Sequence, residues 1–288
     1  MRLALGTAQF GLPYGIANIS GQVTQNDAQA ILEYAASVGI ETIDTAIAYG
    51  DSEQCLGRVG ASAFNVITKL PVIPDTVSDV ENWIIRSVNG SISRLGIDSL
   101  YGLMLHRPHQ LLEGRGAEII TVLQHLKRSG IVKKIGVSTY APSEFGTLFD
   151  FHDFDIVQCP FSLVDQRLVT SGWLKKLKRY GVEVHVRSVF LQGLLLMPAM
   201  RLPASFKKWK SIWDTWEEWL LKNETSALEA CLSYVLSFSE IDRVVVGIDS
   251  RDQLVGITSI YPGRNFNDYP AIDSDDINLV NPVNWRLI

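Results

Sequence analysis

Residues 41–53 read ETIDTAIAYGDSE. Thr42 and Ile43 open an apolar strand that delivers Asp44 at its end, and Tyr49 and Gly50 follow on the next loop. Asp51 and Ser52 are good N-cap residues for a helix starting there. An acid at a strand terminus, a phenol on the loop and a helix straight after make a βα unit whose connection carries chemistry. Two later strand ends supply matching parts: Lys69 in NVITKL (65–70) and His106 closing SLYGLMLH (99–106).

The same unit repeats outward in both directions. Short apolar runs at 3–7, 41–46, 65–70, 99–106, 133–138, 155–161, 183–189 and 243–248 read as strands. Between and after them, helical patterns lie near 24–38, 52–60, 78–95, 117–129, 142–149, 170–180, 225–238 and 251–259. Eight βα units, with strands apolar enough to be buried on both faces, predict a (β/α)8 TIM barrel spanning 1–288 as a single domain. Thr24 with Asp27 three residues on forms a capping-box start. Gly39, Gly130 and Gly181 stand where C′ glycines end helices, and Pro142 opens the short helix after the fifth strand.

One unit is oversized. Residues 190–224 separate the seventh strand from its helix, where a handful of residues would do. They hold Trp209, Trp213, Trp216 and Trp219, the first three at i, i+4, i+7 on one helix face. Two readings follow: an inserted helix packed onto the barrel by its tryptophans, or an aromatic substrate pocket. From about Tyr261 the chain is rich in Pro, Asn and Asp and reads as an irregular tail lying over the barrel.

A net charge of −5 argues against an electrostatic nucleic-acid partner. No apolar run reaches the roughly 18 residues of a membrane span, and Met1 leads within two residues into the first strand, so no signal peptide is expected. Cys55, Cys159 and Cys231 are scattered, without C-x-x-C, as reduced thiols of a cytoplasmic protein would be. HRPH (106–109) offers two histidines, but His125, His152 and His185 sit in unrelated units, so no metal site is expected. No tyrosine has a lysine four residues on, as a short-chain dehydrogenase would require, and GRGAEI (114–119) follows no strand.

Carbonyl reduction needs a hydride on carbon and a proton on oxygen, the latter from a positioned weak acid. Tyrosine, with an ordinary pKa of about 10, would need a cation to stabilise its phenolate. Lys69 is suited to be that cation, Asp44 to hold the ammonium, and His106 to hydrogen-bond the substrate oxygen. All four stand at the ends, or on the loops, of strands two, three and four, as a shared barrel mouth requires.

GTAQFG (6–11), IDTAIAYGDSE (43–53), ITKL (67–70), LMLHRP (103–108), GVST (136–139), VQCPFS (157–162), RSVFLQGLL (187–195) and VVGIDSRDQL (245–254) resemble, in order and over essentially the whole chain, the signatures of the aldo-keto reductases. The resemblance implies a barrel that reduces a small aldehyde or ketone, or oxidises the alcohol, with a nicotinamide cofactor. It makes Tyr49 the general acid, Lys69 and Asp44 its tuning pair and His106 the orienting residue. It also implies cofactor contacts from Thr7, from Ser138 and Gln158 at the carboxamide, from Arg187, Ser188, Phe190 and Gln192 beside the nicotinamide and pyrophosphate, and from Gly247, Asp249 and Gln253 at the adenosine end. Three positions depart from the family pattern: Thr139 replaces the usual Asn, Arg187 the usual stacking aromatic, and Asp249 a common basic residue. The family's habit points to NADP(H), whereas an acid at 249 suits the free 2′-hydroxyl of NAD(H). The N-terminal hairpin that plugs the barrel bottom in many members has no counterpart before residue 3. Two other functions fit the residues: a cofactor-sensing binding subunit of the same fold, and a Schiff-base aldolase using Lys69. Oligomeric state and natural substrate are not legible.

Overall fold

The computed structural model describes residues 1–287. Eight parallel strands close into a barrel in chain order: β1 Leu3–Gly6, β2 Thr42–Asp44, β3 Asn65–Leu70, β4 Leu100–Leu105, β5 Val132–Ser138, β6 Ile156–Pro160, β7 Glu183–Arg187 and β8 Arg243–Gly247. Closure is set by register, β1 pairing both with β2 (Gly6 opposite Asp44) and with β8 (Gly6 opposite Gly247). Because strand side chains alternate, the barrel builds two separate apolar regions. Ile67, Met104 and Ile156 fill the inside, while Leu5, Ile43, Val66, Leu103 and Val157 face the helices in the main core. Each fully buried aliphatic side chain contributes about 1.5–3 kcal/mol.

The helices α1 Gln25–Ser37, α2 Ser52–Val59, α3 Val80–Leu95, α4 Gly116–Arg128, α5 Phe145–Phe151 and α6 Trp173–Arg179 surround the sheet. They are followed by α7 Lys210–Lys222, α8 Ala227–Leu236 and α9 Arg251–Ile260. Thr24 caps α1 by accepting from the Asp27 N–H. The three expected C′ glycines, Gly39, Gly130 and Gly181, have φ of 79°, 78° and 72°. No helix among the described residues is long and apolar enough to cross a membrane.

Three sequence boundaries move, each for a local reason. β2 stops at Asp44: the Thr45 N–H makes the last ladder bond, to the Ile67 carbonyl, and the Thr45 carbonyl then accepts from the Lys69 side chain, Nζ, in place of a backbone N–H of β3. β7 stops at Arg187 because Ser188 adopts φ 63°. The helix expected over 170–180 is two pieces, Arg167–Thr170 and α6, separated at Gly172 with φ 77°.

At the bottom of the barrel, ions occupy the interior. The Glu183 carboxylate accepts from Tyr101 Oη at 2.8 Å and from Lys134, and pairs with His185 Nε2 at 2.7 Å. Burial works against that charge, but the hydrogen bonds from His185, Lys134 and Tyr101 hold the carboxyl well below the usual range. Arg2 ties the start of the chain to the end of α8, donating to the carbonyls of Leu236, Phe238 and Ile241.

The insertion after β7 runs through short 3-10 turns into α7. Its buried face carries Trp213, Trp216 and Trp219, while Trp209, at the helix start, stays half-exposed and donates to Asp276. Trp216 stacks on Trp219 (6.0 Å, 8°), which stacks on Tyr269 of the tail (5.8 Å, 18°). The indole N–H groups of Trp213 and Trp216 are spent on the carbonyls of Phe206 and Leu195. These rings pack the insertion and tail together.

Candidate active site

The carboxyl ends of β2, β3 and β4 bring Asp44, Lys69 and His106 to one mouth, and the loop after β2 adds Tyr49. Lys69 is fully buried, its Nζ 2.6 Å from Asp44 Oδ2 and 2.9 Å from the Thr45 carbonyl. The same ammonium lies 5.2 Å from the centre of the Tyr49 ring. Tyr49 meets the His106 imidazole edge to face, 5.7 Å between centres at 83°. The other oxygen of Asp44 accepts from Gln158 Nε2 at 2.7 Å, a bond that crosses the barrel from β6.

The loop bearing Tyr49 is seated by backbone contact. Gly11 and Gly50 touch so closely that a Cβ on Gly11 would collide with the Tyr49 carbonyl and the Ser52 N–H, and one on Gly50 with the Gly11 carbonyl. Ser52 Oγ donates to the Thr7 carbonyl at 2.8 Å, and Thr7 Oγ1 to the Asp44 carbonyl at 3.0 Å. The expected cofactor contact Thr7 is therefore fully buried and joins β1 to the end of β2.

Electrostatics divide the roles. Burial, aided by the Lys69 and Arg187 charges, pushes the His106 imidazole down to about 4, so it is neutral at physiological pH. Burial also lowers the Lys69 ammonium from its ordinary value, with Asp44 opposing through its charge and hydrogen bond. The Tyr49 phenol is raised, first by burial and then by the Asp44 carboxylate, with Arg187 opposing. That is the reverse of the sequence expectation: Lys69 is matched by Asp44, so burial decides.

Around this centre stand the remaining expected residues. Ser138 and Gln158 are buried at paired positions of β5 and β6. Gln158 Oε1 and the neighbouring Thr139 Oγ1 are buried without a hydrogen-bond partner. Arg187 ends β7, donating to the Thr139 carbonyl at 3.0 Å and to Ser188 Oγ at 3.3 Å. Its guanidinium lies 4.8 Å from the centre of the Tyr140 ring. Beyond it, Ser188, Leu191, Gln192 and Gly193 have φ of 63°, 50°, 53° and 90°. Three non-glycine residues in the left-handed region, each costing about 1 kcal/mol or more, make this the most strained stretch of backbone at the mouth. Phe190 lies within that loop, half-buried. Gly247 ends β8, exposed, and Asp249 precedes α9, where its N–H donates to Gln253 Oε1 at 2.8 Å.

The loop after β1 joins the two groups of expected cofactor residues. Tyr14 Oη accepts from Gln192 Nε2 at 2.9 Å, and Asn18 Nδ2 reaches Asp249 Oδ1 at 3.4 Å. Neither Tyr14 nor Asn18 was singled out from sequence, and nor were Gly11, Arg107 and Tyr140. The motifs GTAQFG (6–11), LMLHRP (103–108) and GVST (136–139) contain or adjoin Gly11, Arg107 and Tyr140, whereas no motif marked Tyr14 or Asn18.

A nicotinamide dinucleotide fits these residues. A carboxamide donates as well as accepts, and the unpartnered Gln158 Oε1 and Thr139 Oγ1 supply an acceptor and a hydroxyl at the mouth. The sequence matches the model of the Aldo/keto reductase family over residues 2–270. The chain belongs to the aldo/keto reductase family. It is similar to the Bacillus subtilis protein named "Uncharacterized oxidoreductase YqkF", 26% identical over 273 residues, 87% of each chain. It is likewise similar to the Escherichia coli "NADH-specific methylglyoxal reductase", 25% identical over 290 residues, 88% of this chain and 87% of that one. Among solved structures, aldo-keto reductase AKR11C1 from Bacillus halodurans, holo form, superposes with a TM-score of 0.73 at 20% identity, covering 92% of this chain and 88% of that one. The aldo/keto reductase described here is thus an NAD(P)H-dependent oxidoreductase of a family that acts on small carbonyl compounds.

Proposed function

We propose that this aldo/keto reductase reduces an aldehyde or ketone at the mouth formed by Tyr49, Lys69, Asp44 and His106. A reduced nicotinamide dinucleotide supplies the hydride when bound, and Ser138, Thr139, Gln158, the 187–193 segment and the 247–253 segment are the residues that would hold it. His106, neutral, donates an N–H to the carbonyl oxygen and fixes its direction. Tyr49 gives that oxygen its proton. A raised phenol keeps its proton across the neutral range, and the alkoxide developing on the substrate is a far stronger base than a phenolate. Lys69, held by Asp44 and the Thr45 carbonyl, then stabilises the phenolate left behind.

The observation that carries this reading is the buried Lys69–Asp44 pair directly beneath the Tyr49 ring and beside His106. A Schiff-base role for Lys69 gains no support, because its Nζ is fully buried and engaged with Asp44 and Thr45. Of the two dinucleotides, the surroundings of Asp249 favour NAD(H) over the NADP(H) of the family's habit. Arg251, the nearest candidate for a 2′-phosphate, lies over the Tyr34 ring instead, 5.3 Å from its centre. The deciding experiment is Tyr49→Phe. Turnover of any carbonyl is lost while tryptophan quenching by NADH persists; loss of both together, or of neither, overturns the role.

A further inference from the structure

Arg187 spans the mouth beside the two orphan atoms that suit a carboxamide. It pairs with Pro160 of β6, one layer nearer the mouth than Gln158, which pairs with His185. From there its guanidinium crosses the end of β6 and donates to the carbonyl of Thr139, the residue after β5, at 3.0 Å. A second bond, to Ser188 Oγ at 3.3 Å, and the Tyr140 ring, centred 4.8 Å away, hold it half-buried. The unpartnered Gln158 Oε1 and Thr139 Oγ1 thus belong to residues one layer below this span and at its far end. The charge on the span is not cancelled by an ion pair among the described residues. Asp44 is matched by Lys69, Asp165 by Arg167 at 2.8 Å, and Glu144 accepts from the Tyr140 and Ala141 N–H groups. The Arg187 charge also reaches Tyr49, Lys69 and His106, acting on each in the sense of a close cation. Arg107, exposed and 5.7 Å from the Tyr140 ring centre, adds the same sign through solvent.

The two redox forms of a nicotinamide dinucleotide differ at the ring: neutral dihydropyridine when reduced, cationic pyridinium when oxidised. Carboxamide, riboses, pyrophosphate and adenine are common to both, so their contacts cancel when the two forms are compared. The ring charge does not cancel. An aromatic side chain beside it would attract the cation with its electron-rich face, whereas a guanidinium repels it. We propose that Arg187 makes this mouth select the reduced dinucleotide over the oxidised one by repelling the pyridinium. This rests on the reading that Ser138, Thr139 and Gln158 hold the carboxamide of a dinucleotide. Like unit charges about 4 Å apart shift an equilibrium about fivefold in bulk water and several hundredfold at an effective dielectric of about 20. A half-buried guanidinium lies between these limits, and a preference of about thirtyfold is expected. The oxidised product then leaves instead of competing with fresh NADH. The same repulsion raises the midpoint potential of the bound couple by about 30 mV for each tenfold of preference, so bound NADH holds its hydride more tightly than free NADH does.

The test is isothermal titration calorimetry of the full chain, without substrate, with NADH against NAD+ and with NADPH against NADP+. The ratio of the two Kd values is read within whichever pair binds, so neither the choice of dinucleotide nor partial misfolding alters it. The reduced form is expected to bind about thirtyfold more tightly. In Arg187→Gln and in Arg187→Phe, two neutral side chains of different shape, the ratio falls to about threefold or less, and in Arg187→Lys most of it returns. A merely structural role would weaken both redox forms together and leave the ratio where it was. A ratio below about fivefold in the unaltered chain, the bulk-water value, overturns the proposal and leaves the reductase reading standing. A preference that survives in both neutral variants belongs to other groups and also overturns it. If the unaltered chain binds no dinucleotide at all, the reductase reading falls, and the proposal with it.

Discussion

Lys69→Met tests the electrostatic centre of this molecule without touching its shape. Methionine is close to lysine in length and volume, so the substitution removes the ammonium and little else. It leaves Asp44, 3% exposed, with Gln158 Nε2 as its remaining side-chain donor. Breaking one side of a buried ion pair costs about 3–5 kcal/mol, because the other charge stays buried and uncompensated. Urea unfolding followed by tryptophan fluorescence reads this directly, with Trp213, Trp216 and Trp219 all buried. At a slope of about 3 kcal/mol per molar urea, the midpoint falls by about 1–1.7 M. Asp44→Asn strands the ammonium and costs a similar amount. The double variant, Asp44→Asn with Lys69→Met, removes both charges and recovers most of the loss, a coupling of about 3 kcal/mol or more by double-mutant cycle. It stays inactive, which separates what the pair does for stability from what it does in catalysis. Single variants costing under about 1 kcal/mol, or a double variant costing the sum of the two, would refute the reasoning.

Three further outcomes are expected. The His106 imidazole is lowered to about 4 from its ordinary value, so its contribution to stability is fully present above about pH 6.5 and is lost as pH falls through about 4. With a neutral carbonyl, kcat/KM therefore holds steady from pH 7 to 5, and an inflection near 6.5 would contradict the depressed value. Asp249→Ala weakens NADH more than NADPH in a fluorescence titration; equal effects would remove Asp249 from the ribose. Gly11→Ala pushes the Tyr49 loop off its seat and lowers kcat by about 10²-fold or more while the far-ultraviolet circular dichroism keeps its barrel spectrum, and unchanged turnover would show the contact to be dispensable.

What could be read from the sequence was whatever local pattern encodes. Strands buried on both faces are apolar throughout, and helices keep one stripe, so eight βα units show in the chain before it folds. Strand ends were legible too, and with them Asp44, Lys69 and His106, because a barrel puts every carboxyl end on one face. The rest depends on contacts between segments far apart in sequence, which no local period records. Gln158 reaches Asp44 across 114 residues, Tyr14 meets Gln192 across 178, and Asn18 meets Asp249 across 231. The tryptophan stripe also shifted by a turn: at the start of α7, Trp209 stays half-exposed on Asp276, and the tail's Tyr269 draws Trp219 inward instead. Even the sign of the Tyr49 shift came from tertiary structure. Lysine, aspartate and tyrosine can be named from sequence, but only closure of the barrel buries the first two and half-buries the third, and the loss of water at the phenol outweighs a cation already matched by its carboxylate.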